Sequence, residues 1–202
     1  MNAPAAFIHP CQPIVAKQPP SGPGWVHELK HDGYRLQIHV KDGRVRLIQS
    51  TAQTGPSATP LIVRDAGRIE GSAIVDAEVV WLDSEGMAVF DALHSRVYDA
   101  KASACAFDLL MLNGEDIRRR PYVERKAALR KILRHDKLLA AACKLGLEGI
   151  VSKKLDAPYK SGPSEAWLKI KNPNAPAATP IAKIGTKQIV RRATKRMAAS
   201  RM

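Results

Sequence analysis

Leu36, Ile38 and Val40 alternate with Gln37 and His39, the period of two expected of a strand with one apolar face. Runs of this kind recur along the chain, separated by turn residues. Trp25–Lys30 and Tyr34 to Val40 read as two strands on either side of Asp32-Gly33, and from Lys30-x-Asp32-Gly33 alone the simplest reading is an ordinary hairpin. Asp-Gly favours a tight turn because glycine accepts positive φ and aspartate bonds its own backbone. Lys41-Asp42-Gly43 predicts another turn, followed by a strand over 45–48 with Val45 and Leu47 on one face. Residues 50–60, rich in Ser, Thr, Ala, Gly and Pro, predict a loop. Residues 73–82 predict a strongly apolar strand interrupted by Asp76 and Glu78. A turn at 83–86, a returning strand at 87–90 and a short helix at 92–98 follow. Ser103–Leu112 predicts a buried strand carrying Asp108 and closed by Asn113-Gly114.

Helical spacing runs from 118 to 134, entered after Pro121, with Val123, Ala127, Leu129, Ile132 and Leu133 apolar amid basic residues. It continues over 136–145 and stops at Gly146. Residues 147–153 and 167–171 predict two further strands, the last with strict alternation. Before Trp25, Pro4, Pro10, Pro13, Pro19, Pro20 and Pro23 predict an extended lead-in over 1–24. After Asn172-Pro173 the composition shifts to Ala, Pro, Thr and Lys/Arg. The expected organisation is a folded domain over 25–173 and a basic, disordered tail over 174–202.

With 202 residues, 45% of them hydrophobic, the chain can bury the core of one medium domain. Its net charge of +13 favours a polyanionic partner, nucleic acid before an anionic membrane surface. Cys11, Cys105 and Cys143 are odd in number and scattered, which argues against a disulfide framework or structural zinc. No apolar run approaches the ~18 residues of a membrane helix, and the N-terminus lacks the order of a secretory signal. A cytoplasmic protein with no membrane partner is expected. Neither a Walker-type loop nor G-x-G-x-x-G occurs, so any nucleotide is held without a glycine cradle. The histidines are read as structural or surface groups.

Ionisable residues sit where the strand patterns predict a core: Lys30, Glu78, Asp108, Glu148, Lys153, Lys169 and Lys171. Buried unpaired, each would cost several kcal/mol, so they are expected to converge on one another or on a charged ligand. Lysines and Arg35 among carboxylates suit a polyphosphate with a divalent metal. A lysine crowded by cations is pushed toward the neutral, nucleophilic amine, and Lys30, beside its turn, is the candidate.

These residues resemble the nucleotidyltransferase, or adenylation, domain of ATP-dependent DNA ligases, most closely the ligase module of bacterial end-joining enzymes of the ligase D type. The resemblance covers most of residues 19–173. Glu28-Leu29-Lys30-His31-Asp32-Gly33-Tyr34-Arg35 is similar to the family's E-x-K-x-D-G-x-R motif. It implies that Lys30 takes AMP from ATP, with Glu28 near the adenine and Arg35 near the ribose. Ile74-Val75-Asp76-Ala77-Glu78 resembles the D-G-E segment, implying a ribose or metal position for Glu78. Ala106-Phe107-Asp108-Leu109-Leu110 resembles the motif whose aromatic, here Phe107, stacks on adenine. Glu148-Gly149-Ile150-Val151-Ser152-Lys153 resembles E-G-x-V-x-K, implying metal or phosphate for Glu148 and the triphosphate for Lys153. Trp167-Leu168-Lys169-Ile170-Lys171 resembles the last motif, with Lys169 and Lys171 at the α-phosphate.

The resemblance implies an α+β nucleotidyltransferase fold, as in DNA ligases and mRNA-capping enzymes, built of two packed antiparallel sheets with flanking helices. It implies ATP with Mg²⁺ or Mn²⁺ as cofactors, and nicked or broken duplex DNA as the substrate, in repair and recombination. The reaction would run from lysyl-AMP, through transfer of AMP to a 5′-phosphate, to displacement of AMP by a 3′-hydroxyl.

Three departures stand out. Gln49-Ser50-Thr51-Ala52 replaces the usual arginine and glycine after the third strand, the link from Arg134 to Leu147 is short, and the chain stops soon after Lys171. The expectation is therefore a truncated ligase without the C-terminal OB-fold, completed by a separate OB-fold or end-joining partner protein. The second reading is a catalytically weak remnant that binds nucleic acid through its basic surface. An RNA ligase or capping-type transferase comes third.

Overall fold

A computed structural model describes residues 7–49, 59–81, 102–133 and 149–171. Its elements are β1 (Cys11–Val15), β2 (Trp25–Lys30), β3 (Tyr34–Lys41), β4 (Arg44–Gln49), α1 (Pro60–Ala66), β5 (Ser72–Val80), β6 (Ser103–Leu112), β7 (Glu115–Asp116), α2 (Tyr122–Ile132), β8 (Gly149–Lys154) and β9 (Gly162–Lys171). The strands form two sheets, a four-stranded one in the order β1-β9-β8-β2 and a five-stranded one in the order β4-β3-β5-β6-β7. This is the expected α+β architecture of two sheets with flanking helices. One ladder departs from the antiparallel rule: β1, from the proline-rich lead-in, pairs in parallel with β9. Its register shifts between Pro13 and Ile14, as suits a proline on an edge strand.

The five-stranded sheet is covered on both faces. On one, Leu36, Ile38 and Val40 of β3 join Val75, Ala77 and Val79 of β5 beneath Ile62 and Ala66 of α1 and Leu129 of α2. On the other, Ile74 and Leu110 pack with Cys11, Tyr159 and Trp167. The polar half of the β3 alternation is therefore inside as well, with Gln37 only 1% exposed. The lead-in satisfies it: the Ile8 N–H donates to Gln37 Oε1 at 3.1 Å, and Gln37 Nε2 donates to the Ile8 carbonyl. His39 lies beside Gln37, and burial, with Arg46 nearby, holds its imidazole down at about 4.

Helix α1 is not foreshadowed by periodicity. It has only seven residues, opens on a proline and lacks a side-chain cap at Thr59, so packing rather than local signal sustains it. Helix α2 is anchored by a fully buried ion pair. Arg125 Nε and Nη2 donate to Asp108 Oδ1 and Oδ2 at 2.8 and 2.9 Å, and Arg125 Nη1 donates to the Arg120 and Ala157 carbonyls. Asp108, expected to meet the other buried charges or a charged ligand, instead pairs with Arg125 and holds α2 on β6. Cys11 and Cys105 are both buried, and among the described residues no helix is long and apolar enough to cross a membrane.

Asp42-Gly43 and Asn113-Gly114 make the expected tight turns, with φ of 49° and 75° in the first and 50° and 84° in the second. Asp32-Gly33 does something else: β2 and β3 belong to different sheets, so the chain crosses between sheets there. The glycine is required for space. A Cβ at Gly33 would lie 2.0 Å from the Val79 carbonyl oxygen, and one at Gly149 would lie 2.1 Å from that of Ile170. The readings at 83–86, 87–90, 92–98 and 136–145, Gly146, Glu148 and the tail lie outside the described residues.

Gly33→Ala and Gly149→Ala should each destabilise the fold by about 2–3 kcal/mol through overpacking against backbone. Gly24→Ala, with nothing within 4 Å, should be near neutral. Urea unfolding midpoints compare the three, and equal shifts would refute the steric argument.

Candidate functional site

Strand register gathers the charged residues. Lys30 pairs with Gly149, which pairs with Lys171; Glu28 pairs with Val151, which pairs with Lys169; Val26 pairs with Lys153, which pairs with Trp167. Directly paired residues share a sheet face. Glu28, Lys30, Lys153, Lys169 and Lys171 therefore stand on one face of the four-stranded sheet. In the other sheet Arg35 of β3 and Glu78 of β5 are cross-strand partners. A cleft of about 130 Å³ is lined by residues of both, among them Glu28, Lys30, Arg35, Glu78, Phe107, Lys153 and Trp167. Lys169 and Lys171 share the sheet face without lining the cleft, and Glu148 lies outside the described residues.

Glu28 is the most heavily bonded carboxylate in the cleft. Tyr122 Oη donates to its Oε1 at 2.5 Å, and the ammonium groups of Lys126 and Lys153 lie 2.6 Å from Oε1 and Oε2. Burial would raise its carboxyl, but Lys153 and Lys126 bring it down to about 2. Lys153 is 2% exposed, and its Nζ sits 4.0, 4.7 and 4.9 Å from the ring centroids of Trp167, Phe107 and Tyr122. Burial lowers its pKa, while Glu28 supports the charge.

Arg35 is similarly engaged. Its Nε and Nη2 donate to Asp76 Oδ1 and Oδ2 at 3.0 and 2.6 Å, Nη1 donates to the Cys11 carbonyl, and Nη2 also donates to Tyr159 Oη at 3.2 Å. Tyr159 Oη in turn donates to Asp76 Oδ2 at 2.6 Å. Asp76 holds the guanidinium charged against its burial. Among the described residues no comparable clamp holds Glu78: burial pushes its carboxyl up to about 7 against the pull of Arg35 and Lys30. A carboxyl kept buried against its own desolvation marks a functional candidate.

Several site residues escaped the sequence reading. Tyr122 and Lys126, four apart on α2, reach Glu28 from outside every motif, and Arg125 and Tyr159 complete the buried networks. The i, i+4 spacing of Tyr122 and Lys126 was a signal that they share a helix face, though not of what they face. Trp167 Nε1 is a buried donor without a partner among the described residues, and it belongs to a side chain lining the cleft. Residues 27–31 also spell His-Glu-x-x-His, a zinc pattern when carried on a helix. Here residues 25–30 are a strand, which spreads His27 and His31 roughly 13 Å apart. His27 Nδ1 lies 2.8 Å from Ser152 Oγ, and among the described residues no three His, Cys, Asp or Glu side chains could hold a metal together. A magnesium-type ion needs only one or two carboxylates alongside substrate phosphates, which Glu78 suits.

The family model described as the ATP dependent DNA ligase domain matches residues 9–138. The chain is 35% identical to the multifunctional non-homologous end joining protein LigD of Pseudomonas aeruginosa, over 82% of this chain and 22% of that protein. It is 29% identical to the SPbeta prophage-derived DNA ligase-like protein LigB of Bacillus subtilis, over 82% of this chain and 68% of that one. Among solved structures, mycobacterial DNA ligase D complexed with ATP and MES superposes with a TM-score of 0.68 at 26% identity, covering 81% of this chain and 60% of that one. Chlorella virus DNA ligase-adenylate shares the fold, with a TM-score of 0.56 at 20% identity over 82% of this chain and 68% of that one. The chain thus spans about a fifth of the length of the LigD relative from Pseudomonas.

The raised Glu78 carboxyl has a consequence for stability. Between its ordinary value of 4.5 and about 7, the folded protein holds a proton that the unfolded chain has released. Stability contributed by this group is therefore full below about 4.5 and falls as pH rises toward about 7. Glu78→Gln should remove that slope and stabilise the protein by roughly 2–3 kcal/mol near pH 8, with little effect near pH 5. Urea midpoints at the two pH values check it; a gain of the same size at both would show that Glu78 is not held protonated.

Proposed function

The chain belongs to the ATP-dependent DNA ligase family, and we propose that its cleft is an adenylation site in which Lys30 takes AMP from ATP. What supports this reading is the position of Lys30, at the end of β2 where the chain crosses between sheets. There it shares a sheet face with Lys153, Lys169 and Lys171 and lines one cleft with Glu78 and Phe107.

In the proposed step the neutral Lys30 amine bonds to the α-phosphorus as the bond to the β-phosphate breaks; pyrophosphate leaves, and the nitrogen sheds one proton to solvent to become the phosphoramidate. Lys153, Lys169 and Lys171 offset the phosphate charge, Lys169 and Lys171 at the α-phosphate. Phe107 offers a ring to the adenine, Glu28 lies near the base, and Arg35, held by Asp76, forms the wall beside the ribose. Glu78, joined by Glu148 through the family resemblance, would hold Mg²⁺ or Mn²⁺, which when bound supplies charge neutralisation at the phosphates.

The acceptor of the AMP is a 5′-phosphate of nicked or broken duplex DNA, in repair and recombination in the cytoplasm. A separate OB-fold or end-joining partner protein would grip the duplex for sealing.

The test is incubation with α-labelled ATP and Mg²⁺, followed by a denaturing gel. Wild type should carry label, and Lys30→Ala and Lys30→Arg should fall at least ~100-fold below it, because neither supplies a neutral amine. Folded wild-type protein that takes no label would sink the adenylation reading.

A further inference from the structure

Lys126 belongs to none of the motifs that carry the family resemblance, yet from helix α2 it reaches Glu28, one of the residues lining the cleft. Its Nζ lies 2.6 Å from Glu28 Oε1 and donates to the Phe107 carbonyl at 3.3 Å. Lys153, from β8, makes the matching contacts on the other side, 2.6 Å from Glu28 Oε2 and 3.4 Å from the same carbonyl. Two ammonium groups, 14% and 2% exposed, thus share one carboxylate and one carbonyl. One carboxylate needs only one counter-ion.

The two lysines are held differently. Lys126 rides on a helix locked to β6 by the buried Arg125–Asp108 pair. Lys153 rests largely against the rings of Trp167, Phe107 and Tyr122, contacts that an ammonium can exchange for a phosphate. We propose that Lys126 is a positioning residue for adenylation, the standing counter-ion of Glu28 that frees Lys153 to move to the triphosphate. The inference rests on the adenylation reading, in which Lys153 serves that triphosphate. Without Lys126, departure of Lys153 would strand Glu28 as a buried anion, a costly state that either holds Lys153 back or forces Glu28 to take up a proton.

The groups facing Glu28 are Lys153 from β8, Lys126 and Tyr122 from α2, and His31 just beyond β2, with Lys30 on its own strand. Burial pushes His31 toward its neutral form and pushes the Tyr122 hydroxyl away from ionisation. A proton on Glu28 is therefore the remaining compensation once Lys126 is gone.

The test is calorimetric binding, to the full chain, of an ATP analogue with a methylene bridge between the α- and β-phosphates. Wild type, Lys126→Gln, Lys126→Arg and the double variant Glu28→Gln/Lys126→Gln are compared from about pH 6 to about pH 8. Lys126→Gln should bind on the order of tenfold more weakly near pH 8, with the deficit shrinking toward pH 6 as Glu28 takes up a proton. Lys126→Arg should bind like wild type, and the double variant should lose the pH dependence. Unchanged binding by Lys126→Gln, or a deficit equal at every pH, overturns the proposal. If Lys126→Gln fails to fold, weakened binding by folded Lys126→Arg overturns it, and wild-type-like binding by Lys126→Arg with a pH-independent double variant supports it. Label transfer from ATP to wild type is measured alongside. Label with unchanged Lys126→Gln binding overturns the counter-ion role alone, whereas binding without label overturns the adenylation reading and leaves the counter-ion result standing.

Discussion

The Arg35 guanidinium is the joint at which the two sheets meet. It lies on β3, grips Asp76 of β5 with two hydrogen bonds, and reaches out of its own sheet to the Cys11 carbonyl of β1 and the Tyr159 hydroxyl. Asp76 is fully buried, so its charge is tolerable only because this fork and Tyr159 satisfy it. The geometry that satisfies Asp76 also sets how the first strand of the lead-in lies across the second sheet. The cleft is the space left open beside that joint, with Arg35 in its wall.

Charge placement elsewhere follows the same physics. Buried ions are resolved locally: Arg125 with Asp108 under α2, Arg35 with Asp76 between the sheets, and Glu28 with Lys126 and Lys153 in the cleft. Glu78 is the exception that gives the cleft its chemical character. Its carboxyl is half-buried beside Arg35 and Lys30 and is held up at about 7, so near neutral pH it is poised between its protonated and ionised forms. Keeping one carboxyl under such tension gives up stability above about pH 4.5.

Two glycines show how a motif can be legible while its reason is not. Lys30-x-Asp32-Gly33 reads as a hairpin because Asp-Gly is a common turn, and both Asp42-Gly43 and Asn113-Gly114 are such turns, with positive φ at each residue. Gly33 instead marks a change of sheet and is needed because the Val79 carbonyl would stand 2.0 Å from any Cβ. That constraint comes from a strand more than forty residues further along, which local pattern does not contain. Helix α1 was illegible for a related cause, being too short and uncapped to announce itself. Lys126 read as one basic residue among many on a helix, because only the approach of α2 to β2 gives it Glu28 as a partner.

The sequence by itself determined most of the strands, though not β1 or β7, through alternation and apolar runs, and the presence of a charged site, through ionisable residues in those runs. It also determined the family, through motifs in a recognisable order, because each of those signals is local to a few neighbouring residues. Tertiary structure alone decided which strands share a sheet, why Gly33 and Gly149 admit no side chain, and how each buried charge is paired. It gave Asp108 to Arg125 and brought Lys126 to Glu28. These outcomes depend on distances between segments far apart in the chain, and the desolvation of an ion is settled only by what finally packs against it.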